Sequence, residues 1–378
     1  MRGASLSPFR EEDRQDACKS SSTSLGRAFA ALPFDDGTHR TTYVWGALTR
    51  HPGAVPTIRL RLLLIAFAST ACAGMTTPKV PNDPQYVPGR SYFGATNYVE
   101  YIAGDAPVIL TAPHGGAVNP ASIPDRTDAR CGGTATTTTD LNTIELVRAM
   151  QASYHARFGH YPHVVIANLS RRKLDANRTP PEATCGNAEA DAAYREWHAF
   201  IDVAARAVLA AHGKGWYMDM HGHGHAIQRL ELGYLLDGSA LDGSDAALNT
   251  TRAFADTSSI RTIVRTSGTS LATLLRGPDA LGTLFAGNGF PAVPSASDPG
   301  PKGAAYFSGG DDTRRHACGA EATALGGATD GNICGVQIET NFTGVRDNTT
   351  NRQRFGDVSA LVLERFLITH WGLHLATP

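Results

Sequence analysis

Net charge, closely spaced cysteines and internal repeats are scarce or absent in this chain of 378 residues, and each absence excludes a class of protein. The formal net charge is −1 and the sequence pI is about 6.9, so composition does not indicate a nucleic-acid or polyanion partner. No Cys-x-x-Cys spacing occurs among the six cysteines, which argues against a cysteine zinc site. A hydrophobic content of 42% with 39 glycines and 21 prolines favours a loop-rich globular fold.

A short apolar run near the N-terminus, residues 62–68, is too short to span a bilayer. It follows two arginines and precedes small residues, so residues 55–75 are typical of a bacterial secretory signal peptide. The small residues before Cys72 resemble a lipoprotein processing site, although Ser69 stands where Leu is usual. Ordinary cleavage after the small residues is the alternative. We therefore expect an extracytoplasmic bacterial protein, either periplasmic or secreted, or attached to the membrane through a lipid at Cys72.

The segments on either side of this signal peptide lack the pattern of a folded domain. Residues 1–54 show no sustained helical or strand periodicity, and a signal peptide beginning near residue 55 is anomalous. We interpret residues 1–54 as a disordered, mis-assigned upstream extension, with translation beginning near Val55. Residues 76–91, rich in Pro and Thr, are expected to form a linker, and residues 92–378 the folded domain.

The remaining cysteines agree with export. Four are left beyond Cys72, an even number in an exported chain, and three pairings are open to them. We favour Cys131–Cys185 and Cys318–Cys334, because the second pair is close in sequence within a Gly-rich loop.

Strand-like and helical segments alternate through the folded domain, which predicts an α/β fold: a mixed, mostly parallel central sheet with helices on both faces. A long loop is expected over residues 277–331. The predicted strands are 108–110, 164–167, 216–220, 230–236 and 336–339, and the predicted helices begin or end near residues 140–158, 187–212, 269–275 and 351–370.

Three of the predicted strands lead into groups that bind metals or anions. These are Pro-His114-Gly-Gly, Asp175-Ala-Asn177-Arg178 and Asp219-Met-His221. Ligands in α/β proteins bind outside the carboxyl ends of the strands, so these segments are expected to meet at one place. The sequence therefore predicts a site with two imidazoles and a guanidinium.

Zinc is the metal that this residue set indicates, since a catalytic site uses three N and O ligands plus water. We expect His114 and His221 as ligands, with the Asp219 carboxylate fixing the His221 tautomer. Asp140 is the first candidate for the third ligand, although Asp at a helix start is also a common N-cap. Glu145 is the second candidate, one turn further into the helix.

Further residues are candidates for substrate binding. Arg171, Asn177 and Arg178 make a fork suited to a substrate carboxylate, or else belong to a solvated surface loop. His223 shapes the pocket, binds a second metal or, with His225, is a solvated loop histidine. Arg315 and His316, in the long loop, are a second candidate anion clamp.

Glu339 ends an apolar strand and is the candidate general base. Beside zinc, its carboxylate would take a proton from metal-bound water and return it to the leaving amine.

Taken in order, these motifs resemble the zinc carboxypeptidase-like superfamily, and within it the N-formylglutamate amidohydrolase family. The resemblance covers residues 107–345. It rests on Pro113-His114-Gly-Gly116, Asp140, the Arg-x-x-x-Asp-x-Asn-Arg signature from Arg171 to Arg178, Asp219-Met-His221 and Gln337-Ile-Glu339. Ala117 stands where carboxypeptidases supply a ligand Glu three residues after the first His.

The resemblance implies a zinc carboxypeptidase or phosphorylase/hydrolase-like fold, with zinc held by His114, a carboxylate and His221. It also implies that Arg178 grips a substrate α-carboxylate. We therefore expect an exported zinc amidohydrolase that cleaves an amide bond next to a free carboxylate in a small molecule or peptide. A zinc peptidase acting on wall peptides or γ-glutamyl polymers, a non-catalytic metal-binding lipoprotein and a degenerate enzyme are the alternatives.

Overall fold

The computed structural model describes residues 86–376, apart from residues 320, 323, 324 and 328–330. The predicted upstream extension, the signal peptide with Cys72 and most of the predicted linker lie outside the described residues. The last part of that linker packs on the domain, because the Tyr86 ring lies edge-on against Tyr92 and Tyr101 at 4.8 and 5.1 Å. None of the helices in the described residues is long and apolar enough to cross a membrane.

An eight-stranded mixed sheet forms the centre of the domain, in the spatial order β1-β2-β4-β3-β5-β8-β6-β7. Its four central strands, β4, β3, β5 and β8, are parallel to one another, and antiparallel strands flank them on both sides. The strands are β1 Ser91–Phe93, β2 Val99–Ile102, β3 Val108–Ala112, β4 His163–Ala167, β5 Gly215–Gly222, β6 Leu230–Gly233, β7 Ala292–Val293 and β8 Ile333–Thr340.

Three long helices cover the two faces of the sheet, and shorter helices fill the connections. The helices are α1 Asp128–Cys131, α2 Thr143–Phe158, α3 Pro180–Thr184, α4 Ala188–His212, α5 Gly238–Leu241, α6 Asp245–Thr250, α7 Arg252–Thr257, α8 Arg261–Thr266, α9 Leu271–Arg276, α10 Leu281–Gly287, α11 Asp311–His316 and α12 Thr349–Trp371. The predicted α/β class is confirmed.

Two apolar cores follow from the alternation of side chains along the strands. On one face, Leu110, Met218 and Val336 pack with α2 and α12. On the other, Ile109 and Tyr217 pack with α4. The central strands therefore read as nearly continuous apolar runs, as strands buried on both faces do.

Two parts of the sequence prediction differ from the structure. Residues 277–331 are not one long loop, because α10, β7 and α11 lie within them. The helix expected from Asp140 begins at Thr143 instead, with Asn142 at its N-cap position in a left-handed conformation (φ 66°). Both predicted disulfides, Cys131–Cys185 and Cys318–Cys334, are present.

Candidate metal centre and pocket

A cavity of about 290 Å³ opens at the carboxyl ends of β3, β5 and β8. The predicted site segments meet there. Its lining residues are His114, Thr136, Asp140, Arg171, Asn177, Arg178, His221, Gly222, Tyr306, Phe307, Ser308, Gly309, Gly310, Gln337 and Glu339.

Strand register places the pocket's polar side chains next to one another. His221 of β5 pairs with Glu339 of β8, and two residues earlier Asp219 pairs with both Gln337 and Thr111. Because side chains alternate along a strand, these residues all project from the face of the sheet that carries α4. These polar side chains therefore lie towards the carboxyl ends of strands whose earlier residues on that face are mostly apolar.

His114 reaches the same place from the turn that follows β3. That turn passes very close to the chain after β4: a Cβ on Gly116 would lie 2.4 Å from the backbone of Asn168. Only glycine fits at that position, which accounts for the second glycine of the Pro-His-Gly-Gly motif.

Three ligand-type atoms form a compact triangle in the pocket. The Nδ1 atoms of His114 and His221 lie 3.1 Å apart, and Asp140 Oδ2 lies 3.4 Å from each of them. All three residues are buried. Neighbouring ligands of a tetrahedral zinc ion, at about 2.0–2.1 Å from the metal, are roughly 3.3 Å apart. The three residues therefore fit such an ion.

Both imidazoles are held so that Nδ1 faces the centre of this triangle. His114 Nε2 donates to Asp175 Oδ1 at 2.6 Å, and His221 Nε2 donates to Asp219 Oδ2 at 2.8 Å. Since each outer nitrogen carries the proton, each inner nitrogen presents a lone pair. In the neutral rings two lone pairs face each other at 3.1 Å and repel, and either a proton or a metal cation between them removes that repulsion.

The side chain of Asp140 lies at the triangle and does not cap α2, whose N-cap position is occupied by Asn142. Its backbone N–H donates to His114 O at 3.0 Å, and its Oδ2 accepts from Gly222 N–H at 3.1 Å. The alternative third ligand, Glu145, is exposed in the first turn of α2 and does not line the cavity.

The carboxylates of the pocket favour a bound cation. Burial opposes protonation of His221, but the charges of Asp219 and Glu339 and the hydrogen bond with Asp140 outweigh it and raise its pKa well above the usual range. Burial alone would raise the Asp140 pKa, yet the contacts with His114 and His221 lower it instead. The charge that holds a proton here would equally hold a metal ion.

Arg171 braces the acidic side chains that surround the centre. Its Nε donates to Asp175 Oδ2 at 2.9 Å, and its NH1 lies 3.6 Å from Asp140 Oδ1. Because its guanidinium already pairs with these carboxylates, it orients the histidine partner as well as lining the cavity.

Glu339 lies beside the triangle, with its Oε1 3.9 Å from His221 Nδ1. Gln337 Nε2 donates to the same oxygen at 2.9 Å and fixes the carboxylate. Burial, together with the nearby carboxylates of Asp140 and Glu231, raises the pKa of Glu339 to about 8, against the opposing charge of His221. A perturbed carboxyl in a pocket marks a candidate acid or base.

Arg178 is a half-buried cation on the pocket wall. Its NH1 donates to Asn177 O at 2.7 Å, and it makes no ion pair within 4.0 Å in the described part of the chain. Asn177 is buried beside it, with Nδ2 3.3 Å from both His221 Nε2 and Gln337 Oε1. The shorter contact of His221 Nε2 with Asp219 decides its tautomer.

Sequence reasoning missed the roof of the pocket, residues 306–310. The Phe307 N–H donates to Glu231 Oε2 at 2.9 Å, and Tyr306 OH donates to Leu232 O at 2.7 Å. A Cβ on Gly310 would lie 2.3 Å from the Asn177 amide, so the roof closes tightly over that side chain. The sequence shows only that these residues lie in a Gly-rich segment, and that composition does not indicate that they line a pocket.

Three predicted substrate-binding residues do not reach the pocket. Both His223 nitrogens hold its own loop: Nε2 donates to Arg229 O at 2.8 Å, and Nδ1 accepts from His225 N–H at 3.1 Å. Arg315 and His316 lie on α11, away from the lining residues, and His316 Nε2 contacts His198 Nδ1 at 2.8 Å. The expectation failed because sequence proximity to a Gly-rich loop does not decide which way a short helix faces.

Comparisons with known proteins give a structural likeness but no sequence match. No protein-family model matches the chain, and no curated protein matches it. Among solved structures, it is similar to the crystal structure of an N-formylglutamate amidohydrolase from Ralstonia eutropha JMP134. The TM-score is 0.39 and the identity 13%, over 72% of this chain and 98% of that chain.

Proposed function

We propose that this protein is an exported zinc-dependent amidohydrolase, similar to N-formylglutamate amidohydrolases, that cleaves an amide bond next to a free carboxylate. One observation carries the proposal: a triangle of two Nδ1 atoms and a carboxylate oxygen shares a small cavity with Glu339 and Arg178. A metal centre alone needs neither a buried carboxyl group beside it nor a cation on the facing wall.

His114, Asp140 and His221 would hold the zinc ion. Zinc with three protein ligands lowers the pKa of a bound water to about 7 and polarises a carbonyl oxygen. Asp175 and Asp219 keep both imidazoles in the tautomer that binds metal, and Arg171 holds Asp175 in place. These contacts fix the ligands before any substrate arrives.

Glu339 is the proposed general base and acid. Its raised pKa belongs to the protein without a cation, and a divalent charge a few ångströms away would favour the ionised form. Gln337 orients the carboxylate, so one oxygen points towards the triangle. In that position Glu339 takes a proton from the attacking water and delivers it to the leaving nitrogen.

Arg178, with the Asn177 amide near it, supports the choice of an anionic substrate. A guanidinium without a protein ion pair is available for a substrate carboxylate, and such charge-assisted hydrogen bonds are among the stronger ones. The cavity, at about 290 Å³, is near the lower end of ligand pockets, which fits an N-acyl amino acid. A zinc peptidase acting on the ends of wall peptides or γ-glutamyl polymers would use the same residues.

Two disulfides support the proposal that the enzyme works outside the cytoplasm, since disulfides persist in oxidising compartments. The proposed signal peptide over residues 55–75 would direct the protein out of the cytoplasm. A lipid at Cys72 would attach it to the membrane, if the protein is processed as a lipoprotein rather than by ordinary cleavage.

The test compares wild-type protein with Glu339→Gln and Glu145→Gln on a panel of N-acyl amino acids and short acidic peptides. We expect Glu339→Gln to lose about 10²–10⁴-fold in turnover at unchanged zinc content, because the amide cannot move the proton. Glu145→Gln should match wild type in both. Substrates whose carboxylate is amidated should be poor. Full turnover in Glu339→Gln would refute the assigned role, and no turnover on any substrate by zinc-loaded wild type would leave a metal-binding protein.

A further inference from the structure

A second group of metal-ligand residues lies buried between α4 and α11, and we call it the α4–α11 cluster: His198, Asp312 and His316. One ligand atom from each lies within 4.8 Å of the others. His198 Nδ1 is 2.8 Å from His316 Nε2 and 3.8 Å from Asp312 Oδ1. These two distances bracket the roughly 3.3 Å between neighbouring ligands of tetrahedral zinc.

Several buried polar atoms of the cluster lack a hydrogen-bond partner in the described part of the chain. His198 Nε2, His316 Nδ1, Asp312 Oδ2 and the Thr313 hydroxyl are buried and have no hydrogen-bond partner. Whichever imidazole donates to the other, both outer nitrogens remain unsatisfied: the acceptor ring keeps a buried N–H and the donor ring a buried lone pair. Buried polar atoms are nearly always paired, so the unpartnered Asp312 Oδ2 beside two converging imidazoles indicates a ligand that the described protein atoms do not supply.

The buried carboxyl group of Asp312 indicates that this ligand is a cation. The residue is completely buried, and among the described residues the one hydrogen-bond donor to its side chain is the Trp197 indole N–H, 3.1 Å from Oδ1. No Lys or Arg of the described residues lies within ion-pairing distance of it. Burying a carboxylate without a counter-ion is expensive, and buried charges are paired or coordinate metals.

We propose that His198, Asp312 and His316 bind a divalent transition metal ion, with zinc as the probe, at a structural site separate from the pocket. The residues are the N and O ligands that zinc takes, and Asp202 Oδ1 lies 3.6 Å from the outer nitrogen of His316, Nδ1. No cluster residue lines the pocket, so the site has no place for substrate.

A metal ion bound by the α4–α11 cluster would hold α11 against α4 and so stabilise the position of the pocket residues that contact α11. The Asp312 N–H donates to Asn177 Oδ1 at 2.9 Å, and α11 follows directly after the roof segment, residues 306–310. The metal therefore stabilises the position of Asn177 and of the roof without contacting substrate.

Zinc per chain, measured by elemental analysis of protein produced with added zinc and then desalted, tests the proposal. We expect about two zinc ions in wild type and about one in each of two classes of variant. One class is the pocket variant His114→Ala/His221→Ala, and the other comprises the cluster variants His316→Gln and Asp312→Asn. His163→Gln, which alters another fully buried histidine outside the cluster, is the matched control and should keep two.

The pocket variant decides the question even if the cluster variants fold poorly, because it leaves the cluster intact. About one zinc in that variant, with a higher melting temperature after refolding in zinc than in chelator, supports the second site. No zinc in that variant overturns it. If wild type and the pocket variant both hold about one, the second site stands and the proposed catalytic centre fails.

Discussion

At the scale of single residues, the positions of the candidate metal ligands could be predicted from the strand ends, but their hydrogen-bond partners could not. His114, His221 and Arg178 could be placed together because parallel strands end at one edge of a sheet. The hydrogen bond between His114 and Asp175 was not predictable, because Asp175 follows a different strand and lies 61 residues further along the chain. Likewise, the sequence left Asp140 as either a helix N-cap or a metal ligand. The helix starts at Thr143, which excludes the N-cap.

The carboxylate partners of the histidines should control zinc affinity. In Asp219→Asn, the new amide can offer an N–H to His221 and favour the tautomer with the proton on Nδ1. We expect zinc to bind about 10–100-fold more weakly, as for other outer partners of metal histidines. Competition with a chelator of known affinity measures this. Asp357→Asn, at an exposed carboxylate on α12, serves as the control, and equal affinity in all three proteins would contradict the assigned role.

At the scale of elements, hydrophobic periodicity and helix-breaking residues predicted the long helices and strands but not the short ones. The helices α4 and α12 and the four parallel strands were predicted within a few residues, since long apolar patterns with clear stops are strong signals. The edge strand β1, its neighbour β2 and most of the helices of four to seven residues were not, because such pieces are set by tertiary packing. The pocket roof belongs to that second group.

The disulfide between α1 and α3 should stabilise the segments that flank the site. Cys131 and Cys185 are 54 residues apart, and closing such a loop stabilises the folded state by about 4 kcal/mol on the chain-entropy model. We expect the variant Cys131→Ser/Cys185→Ser to lose roughly that free energy of unfolding in denaturant titrations. Neither cysteine is buried, so the serines cost little of their own. A loss below about 1 kcal/mol would contradict this estimate.

At the scale of the whole molecule, stability should depend on pH through buried neutral histidines. His163 is buried, and its Nδ1 accepts from Tyr101 OH at 2.8 Å and from Gly104 N–H at 3.2 Å. Burial lowers its pKa to about 4, with His212 adding to the effect and Asp105 opposing it. Protonation would break both hydrogen bonds.

The unfolded chain binds a proton at His163 near pH 6.5 and the folded chain only near pH 4. Between these values the unfolded state holds more protons, so the free energy of unfolding falls as pH falls, by at most about 3 kcal/mol from this group. Denaturant unfolding of wild type and His163→Gln from pH 7 to pH 4 measures it. The wild type should lose more stability than the variant over that window, and parallel curves would refute the assignment.

The central claim is that His114 and His221 bind one metal ion together, and zinc per chain tests it most directly. Wild type, His114→Ala and His221→Ala are compared with His225→Ala, a loop histidine outside the triangle. We predict that each of the first two variants holds about one zinc fewer than wild type, while His225→Ala holds the same amount. Zinc content unchanged in both His114→Ala and His221→Ala would contradict the account.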